Sequence, residues 1–188
     1  MKRVIQVVGP CTVKLKRDRF GMLARSILSQ QISGHAARAI QGRLEAAMPD
    51  GKLSAVGLAE LSDEEYRAAG VSGPKAKYLR SLGTLTLDGT VRFTRLANRS
   101  DEEIIEDLTR IKGIGVWTVQ MFLMFSLGRP DVLPYDDLGV KQAIRNLHGL
   151  EELPGKRECV ELAEPWRPYA TIASWYCWRS LDYPELRG

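Results

Sequence analysis

At 188 residues, with 44% hydrophobic and 27% charged side chains, the chain has the composition of a globular protein of one domain or two small lobes, which excludes a disordered or fibrous class. A net charge of +4 is compatible with a polyanionic partner but too mild to identify one. Cys11, Cys159 and Cys177 are too few and too scattered for a disulfide framework, a CxxC zinc site or a four-cysteine cluster. The start MKRVIQVVG lacks a signal-peptide core, and no run of 18 apolar residues occurs, so a reduced, soluble, cytoplasmic or otherwise intracellular protein is expected, away from any membrane.

Residues 1–15, with VIQVV and CTVKL around Gly9 and Pro10, read as an extended segment able to form a small appended β hairpin. Residues 1–18 are accordingly set apart from a core over 19–188. From Phe20 the spacing turns helical: Phe20, Leu23, Ala24, Ile27 and Leu28 share a face, Ser33 and Gly34 interrupt it, and Ala36, Ala37, Ile40 and Leu44 resume it. Two helices therefore meet at QQISG. Ser62-Asp-Glu-Glu65 has the form of a capping box, with Gly70 as the following stop, and Ser100-Asp-Glu-Glu103 repeats the device. The second box opens a helix with Ile104, Ile105 and Leu108 inward. It ends at IKGIGVWTV, after which another helix is expected from about Val116 to Leu127, so that a helix-hairpin-helix occupies about 101–128. Arg129–Pro134 is loop, Leu138, Ile144 and Leu147 mark a helix closed by Gly149, and Ile172, Ala173 and Tyr176 lie on a last, aromatic-rich helix. The pattern is all-α, with no repeat of fixed period.

In KGIGV the glycines permit positive φ and close approach of another backbone. The turn also presents the first amides of the next helix, from Val116 on, unpaired. Gly113, Gly115 and Val116, with Lys112 beside them, form a candidate phosphate site. A glycine-capped turn between two helices, with no ligand, accounts for the same residues. Asp136 and Asp137 likewise read as the cap and first-turn acid of the following helix, Asp136 being the natural cap and Asp137 a candidate partner of Lys141 at i,i+4.

LTRIKGIGVWTVQMFL followed by VLPYDDLGVKQAI resembles the hairpin and aspartate-bearing segment of the helix-hairpin-helix DNA glycosylases. ILSQQISGHAA and EPWRPYATIASWYCWR are similar to two further segments of its 3-methyladenine DNA glycosylase II branch. The four segments, in order, span roughly residues 20–180. The resemblance implies two helical lobes with the active site in the cleft between them. It places the catalytic aspartate, four residues before a lysine, at Asp137. A carboxylate at a helix N-terminus is stabilised as the anion, suited to steadying an oxocarbenium-like sugar and to orienting or deprotonating water. Bifunctional relatives carry a Schiff-base lysine two residues past the second hairpin glycine. Trp117 occupies that position here, which implies a monofunctional enzyme that leaves an abasic site, with Lys141 a surface or phosphate-facing cation.

The resemblance further implies a DNA wedge at Gln31, flanked by Gln30 and Ile32, and a base pocket that includes Trp117 and Trp175. Met121 stands where the family can carry a tyrosine. An aromatic face attracts the positive charge of an N-alkylated purine, so 3-methyladenine or 7-methylguanine in double-stranded DNA is the expected substrate. Trp166, Tyr176 and Trp178 are assigned to core packing. No cofactor is needed for catalysis. A structural Na⁺ or K⁺ is implied on the backbone carbonyls of Thr109, Ile111 and Ile114. Lys75, Lys77 and Arg80 read either as phosphate contacts or as a solvated helix face, and the protein is expected to be a monomer. Two alternatives stay open: a non-catalytic helix-hairpin-helix DNA-binding protein, and a glycosylase for oxidised or deaminated purines.

Overall fold

The computed structural model describes residues 1–186, and its regular elements in chain order are α1 (Lys2–Val8), α2 (Arg19–Ser29), α3 (Gly34–Ala46), α4 (Ala55–Glu60), α5 (Asp63–Ala68), α6 (Gly73–Leu87), α7 (Asp101–Thr109), α8 (Val116–Phe122), α9 (Leu138–His148), α10 (Lys156–Ala163) and α11 (Ala170–Ser180). Among the described residues there is no strand, and the fold is all-α as the helical spacing requires. The chain divides into two compact units, one formed by Lys16–Phe122 and the other by Met1–Leu15 together with the chain from Leu123 onward.

The Lys16–Phe122 unit is assembled from capped helices. Asp18 caps α2 by accepting the Gly21 amide at 2.9 Å and also pairs with Arg25 at 3.0 Å, while Leu23, Ala24, Ile27 and Leu28 supply the buried face. Ser33 caps α3, and complete capping boxes open α5 (Ser62 with Glu65) and α7 (Ser100 with Glu103), as their sequences dictate. Helices α4 and α6 pack very closely because Gly83 has no side chain: a Cβ there would lie 2.7 Å from the Ala55 carbonyl oxygen. Tyr66 is fully buried, with its hydroxyl donating to Leu58 O at 2.6 Å and the Arg80 guanidinium 5.3 Å above its ring.

In the other unit, Val140, Ala143 and Ile144 of α9 pack with Cys159 of α10 and Cys177 of α11. The extended segment expected at the N-terminus is instead helical over Lys2–Val8. The β-branched residues that suggest a strand are overridden by tertiary packing. Met1, Val4 and Val8, at helical spacing, face Tyr176 and Leu186, whereas Ile5 and Val7 are exposed. The Tyr176 hydroxyl donates to Gly9 O at 2.9 Å, and Arg3 donates to Glu185 O at 2.9 Å. This segment is therefore part of a helical core and not a β appendage.

Candidate active site

The hairpin is pinned by two isoleucines and open between them. Ile111 and Ile114 are buried, and the Ile114 amide closes the turn on Ile111 O at 3.0 Å, while Lys112, Gly113, Gly115, Val116 and Trp117 are exposed. Gly113 has φ +82°, and a Cβ at that position would run into the Tyr78 ring, so both the conformation and the packing demand glycine. At Gly115 a Cβ would meet nothing within 4 Å. Its bareness serves no internal contact and leaves the backbone approachable from outside. The Lys112 amide reaches Ser81 Oγ at 3.4 Å.

Thr109 ends α7, so its carbonyl is among those left without an intrahelical partner, and Ile114 precedes α8. The Ile111 carbonyl retains a second lone pair beyond its bond to Ile114. Three neutral main-chain oxygens fit a monovalent cation. Among the described residues no group of three His, Cys, Asp or Glu side chains is assembled for a more highly charged metal.

Trp117 is 45% exposed, and Met121, one turn on, is half-buried, so α8 presents part of an aromatic face to solvent. In the turn between α2 and α3, Gln31 is exposed at φ 56°, the only left-handed residue other than glycine among those described. Such a conformation costs on the order of 1 kcal/mol and persists where the surrounding structure imposes it. Gln30 is half-buried, and its side-chain amide donates to Gly113 O at 2.8 Å. Lys75 donates to Leu28 O at 2.6 Å at the end of α2, with burial lowering its ammonium pKa. Arg80 is held by Leu61 O at 3.0 Å and Asp63 at 2.8 Å. Both cations that read as phosphate contacts or a solvated face are thus committed internally, and Lys77 alone of the three is exposed.

Asp137 sits where a structured loop hands over to α9. The loop is clamped to the start of α11: Thr171 N donates to Pro130 O at 3.0 Å, Thr171 Oγ1 to Arg129 O at 2.7 Å, and Val132 N to Thr171 Oγ1 at 3.1 Å. Asp137 N then closes a turn on Pro134 O at 2.9 Å, and Asp137 itself caps α9, its Oδ1 accepting the Val140 amide at 2.9 Å. The expected cap, Asp136, is one residue displaced from that role; it is exposed and lies 4.0 Å from Lys141 Nζ.

Trp178, assigned to core packing from the sequence, donates its Nε1–H to Asp137 Oδ1 at 2.7 Å. No local spacing links positions 137 and 178; only tertiary structure joins them. Trp175 packs with the α1 cluster, its ring 4.9 Å from Tyr176 and nearly perpendicular to it. Cys177, buried between these tryptophans in sequence, has its thiol pKa pushed up to about 12, chiefly by burial, so it supplies no thiolate at neutral pH. A fixed carboxylate at a helix N-terminus remains as the group equipped for chemistry at developing positive charge.

The model of the HhH-GPD superfamily of base excision DNA repair proteins matches residues 24–168, and the chain belongs to that family. It is 38% identical over 192 residues to DNA-3-methyladenine glycosylase 1 of Schizosaccharomyces pombe, a match covering 98% of this chain and 84% of that relative. Among solved structures it is similar to a DNA-3-methyladenine glycosidase from Bacillus halodurans, with a TM-score of 0.89, 38% identity, and coverage of 97% of this chain and 84% of that one. It is also similar to the 3-methyladenine DNA glycosylase of S. pombe in complex with abasic DNA, with a TM-score of 0.84, 35% identity, and coverage of 98% and 92%.

Proposed function

We propose that this protein is a monofunctional DNA glycosylase of base excision repair that hydrolyses the N-glycosidic bond of alkylated purines. The observation that carries the reading is the carboxylate of Asp137, held on one oxygen by the Val140 amide and the Trp178 indole N–H, in a chain similar over nearly its whole length to 3-methyladenine glycosylases. As the bond between sugar and base breaks, its electron pair leaves with the base and positive charge grows on deoxyribose. A fixed carboxylate stabilises that charge and orients or deprotonates the water that adds to the sugar. An N-alkylated purine is already cationic and leaves without a general acid. Trp117 offers an exposed face for such a base, a contact worth about 0.5 to 2 kcal/mol more for a cation than for a neutral ring.

The target nucleotide leaves the stack at a cost of a few kcal/mol, lower for damaged pairs, and Gln31, with Gln30 beside it, fills the vacated space. Lys112 and the Gly113–Val116 backbone take a phosphate on the far side of the turn from the two buried isoleucines. The carbonyls of Thr109, Ile111 and Ile114 would hold Na⁺ or K⁺, which when bound supplies positive charge to that phosphate. Among the described residues no helix is long and apolar enough to cross a membrane. We read the protein as an intracellular monomer acting on duplex DNA.

The test is base release from methylated duplex DNA by the purified protein. Free 3-methyladenine or 7-methylguanine is expected, with abasic sites that break only on alkali treatment. Duplex binding without release would establish the non-catalytic alternative, and equal excision of neutral oxidised or deaminated purines would remove the role given to Trp117.

A further inference from the structure

The carboxylate of Asp137 is held from two directions, and the second holder comes from an element with no sequence proximity to it. Val140 N and Trp178 Nε1 both donate to Oδ1, at 2.9 and 2.7 Å. The first is an ordinary helix cap, available at any capping aspartate. The second requires that α11 deliver an indole edge to the N-terminus of α9, and two further features of the same unit serve that delivery. Phe125, in the π-helical turn Leu123–Leu127, lies 5.9 Å from the Trp178 ring at a tilt of 37°. Gly139 makes room: a Cβ there would lie 2.8 Å from Trp178 Cδ1, 3.2 Å from its Nε1 and 3.2 Å from Asp137 Oδ1.

A glycine in the first turn of a helix gives up helix stability relative to alanine, by roughly 1 kcal/mol in a helix interior and less near an end. Here its absence of a side chain is what lets the indole reach the carboxylate. Indole N–H is a donor only, with no acceptor character and no titration. A partner of that kind fixes the orientation of the carboxylate through a short, charge-assisted bond.

We propose that Trp178 is a positioning residue for the glycosylase reaction, presenting the Asp137 carboxylate in a single orientation, and that Gly139 exists to admit it. The inference rests on the function proposed above. Trp178→Phe keeps an aromatic ring on the Phe125 side and removes the five-membered half of the indole together with its N–H. Gly139→Ala displaces the indole from the other side while improving the intrinsic helix propensity of α9.

Single-turnover release of 7-methylguanine from a methylated duplex should slow by about ten- to a hundred-fold in Trp178→Phe, the effect of removing one hydrogen bond to a charged group. Affinity for the same duplex should stay within about two-fold, since Trp178 makes no DNA contact in this scheme. Gly139→Ala should lose rate in the same sense, again with duplex affinity within about two-fold. An unaltered rate in Trp178→Phe would overturn the proposal. So would a slower rate accompanied by an equal loss of duplex affinity, because a general loss of packing explains that. Absence of release by the unsubstituted protein would instead sink the glycosylase reading itself, and the positioning role with it.

Discussion

The side-chain amide of Gln30 donates to the carbonyl of Gly113 at 2.8 Å, tying the turn between α2 and α3 to the hairpin 83 positions further on. Two surface turns that the sequence presents as separate DNA contacts are thus one mechanical piece within the Lys16–Phe122 unit. Gln30→Ala should weaken binding to damaged and undamaged duplexes alike, by a few-fold, and lower stability by about 1 kcal/mol. Gln31→Ala, whose side chain is exposed, should leave undamaged-duplex affinity nearly intact and reduce release of well-paired lesions. Fluorescence anisotropy on both duplexes, with single-turnover release, separates the two; identical behaviour of the pair would contradict the division of roles.

The two hairpin glycines should fail in different ways. Gly113→Ala meets a positive φ and the Tyr78 ring together, so it should destabilise the fold by about 1 to 3 kcal/mol and lose DNA affinity as a consequence. Shrinking Tyr78 to Ala in the same chain should relieve the steric part but not the backbone strain. Gly115→Val has open space around its Cβ. It should leave the melting temperature within a few degrees and weaken binding to all duplexes equally. Selective loss for one lesion would contradict a backbone contact.

Asp137 serves the fold as well as the reaction, because it caps α9. Asn is as good a cap as Asp, whereas Ala is not and costs about 1 kcal/mol. Asp137→Asn should therefore abolish methylpurine release while leaving duplex affinity and denaturant midpoint close to those of the parent. Asp137→Ala should add a measurable loss of stability to the same loss of activity. Residual release near the parental rate in the Asn variant would remove Asp137 from the reaction.

Glu65 and Glu103 both have carboxyl pKa values lowered from the usual 4.5, first through the backbone amides of Ser62 and Ser100 that they accept. A carboxylate with a depressed folded-state pKa contributes stability that is fully present above its unfolded pKa and is lost as pH falls through the folded one. Stability to urea should therefore decline on the acid side, beginning near the ordinary glutamate value. The double substitution of Glu65 and Glu103 by Gln, which can still complete each box, should flatten that decline. An unchanged acid slope would show that other carboxylates set it.

What could be read from the sequence is what depends on neighbours along the chain. The capping boxes at Ser62 and Ser100, the stop at Gly149, the apolar face of α2 and the glycine-bounded hairpin are governed by spacings of three or four residues and by the φ values glycine permits, and all formed where expected. The candidate aspartate was also legible, through its place before a helix and the resemblance of the segment around it. Tertiary structure decided the rest. It turned Lys2–Val8 into a helix by burying Val4 and packing Met1 and Val8 beside it. It moved the cap from Asp136 to Asp137, and it committed Lys75 and Arg80 to internal carbonyls and a carboxylate. Above all it brought the Trp178 indole to Asp137. Helix periodicity records which side faces inward, but a hydrogen bond between residues 41 positions apart depends on how the packed helices finally cross, and no local pattern carries that geometry.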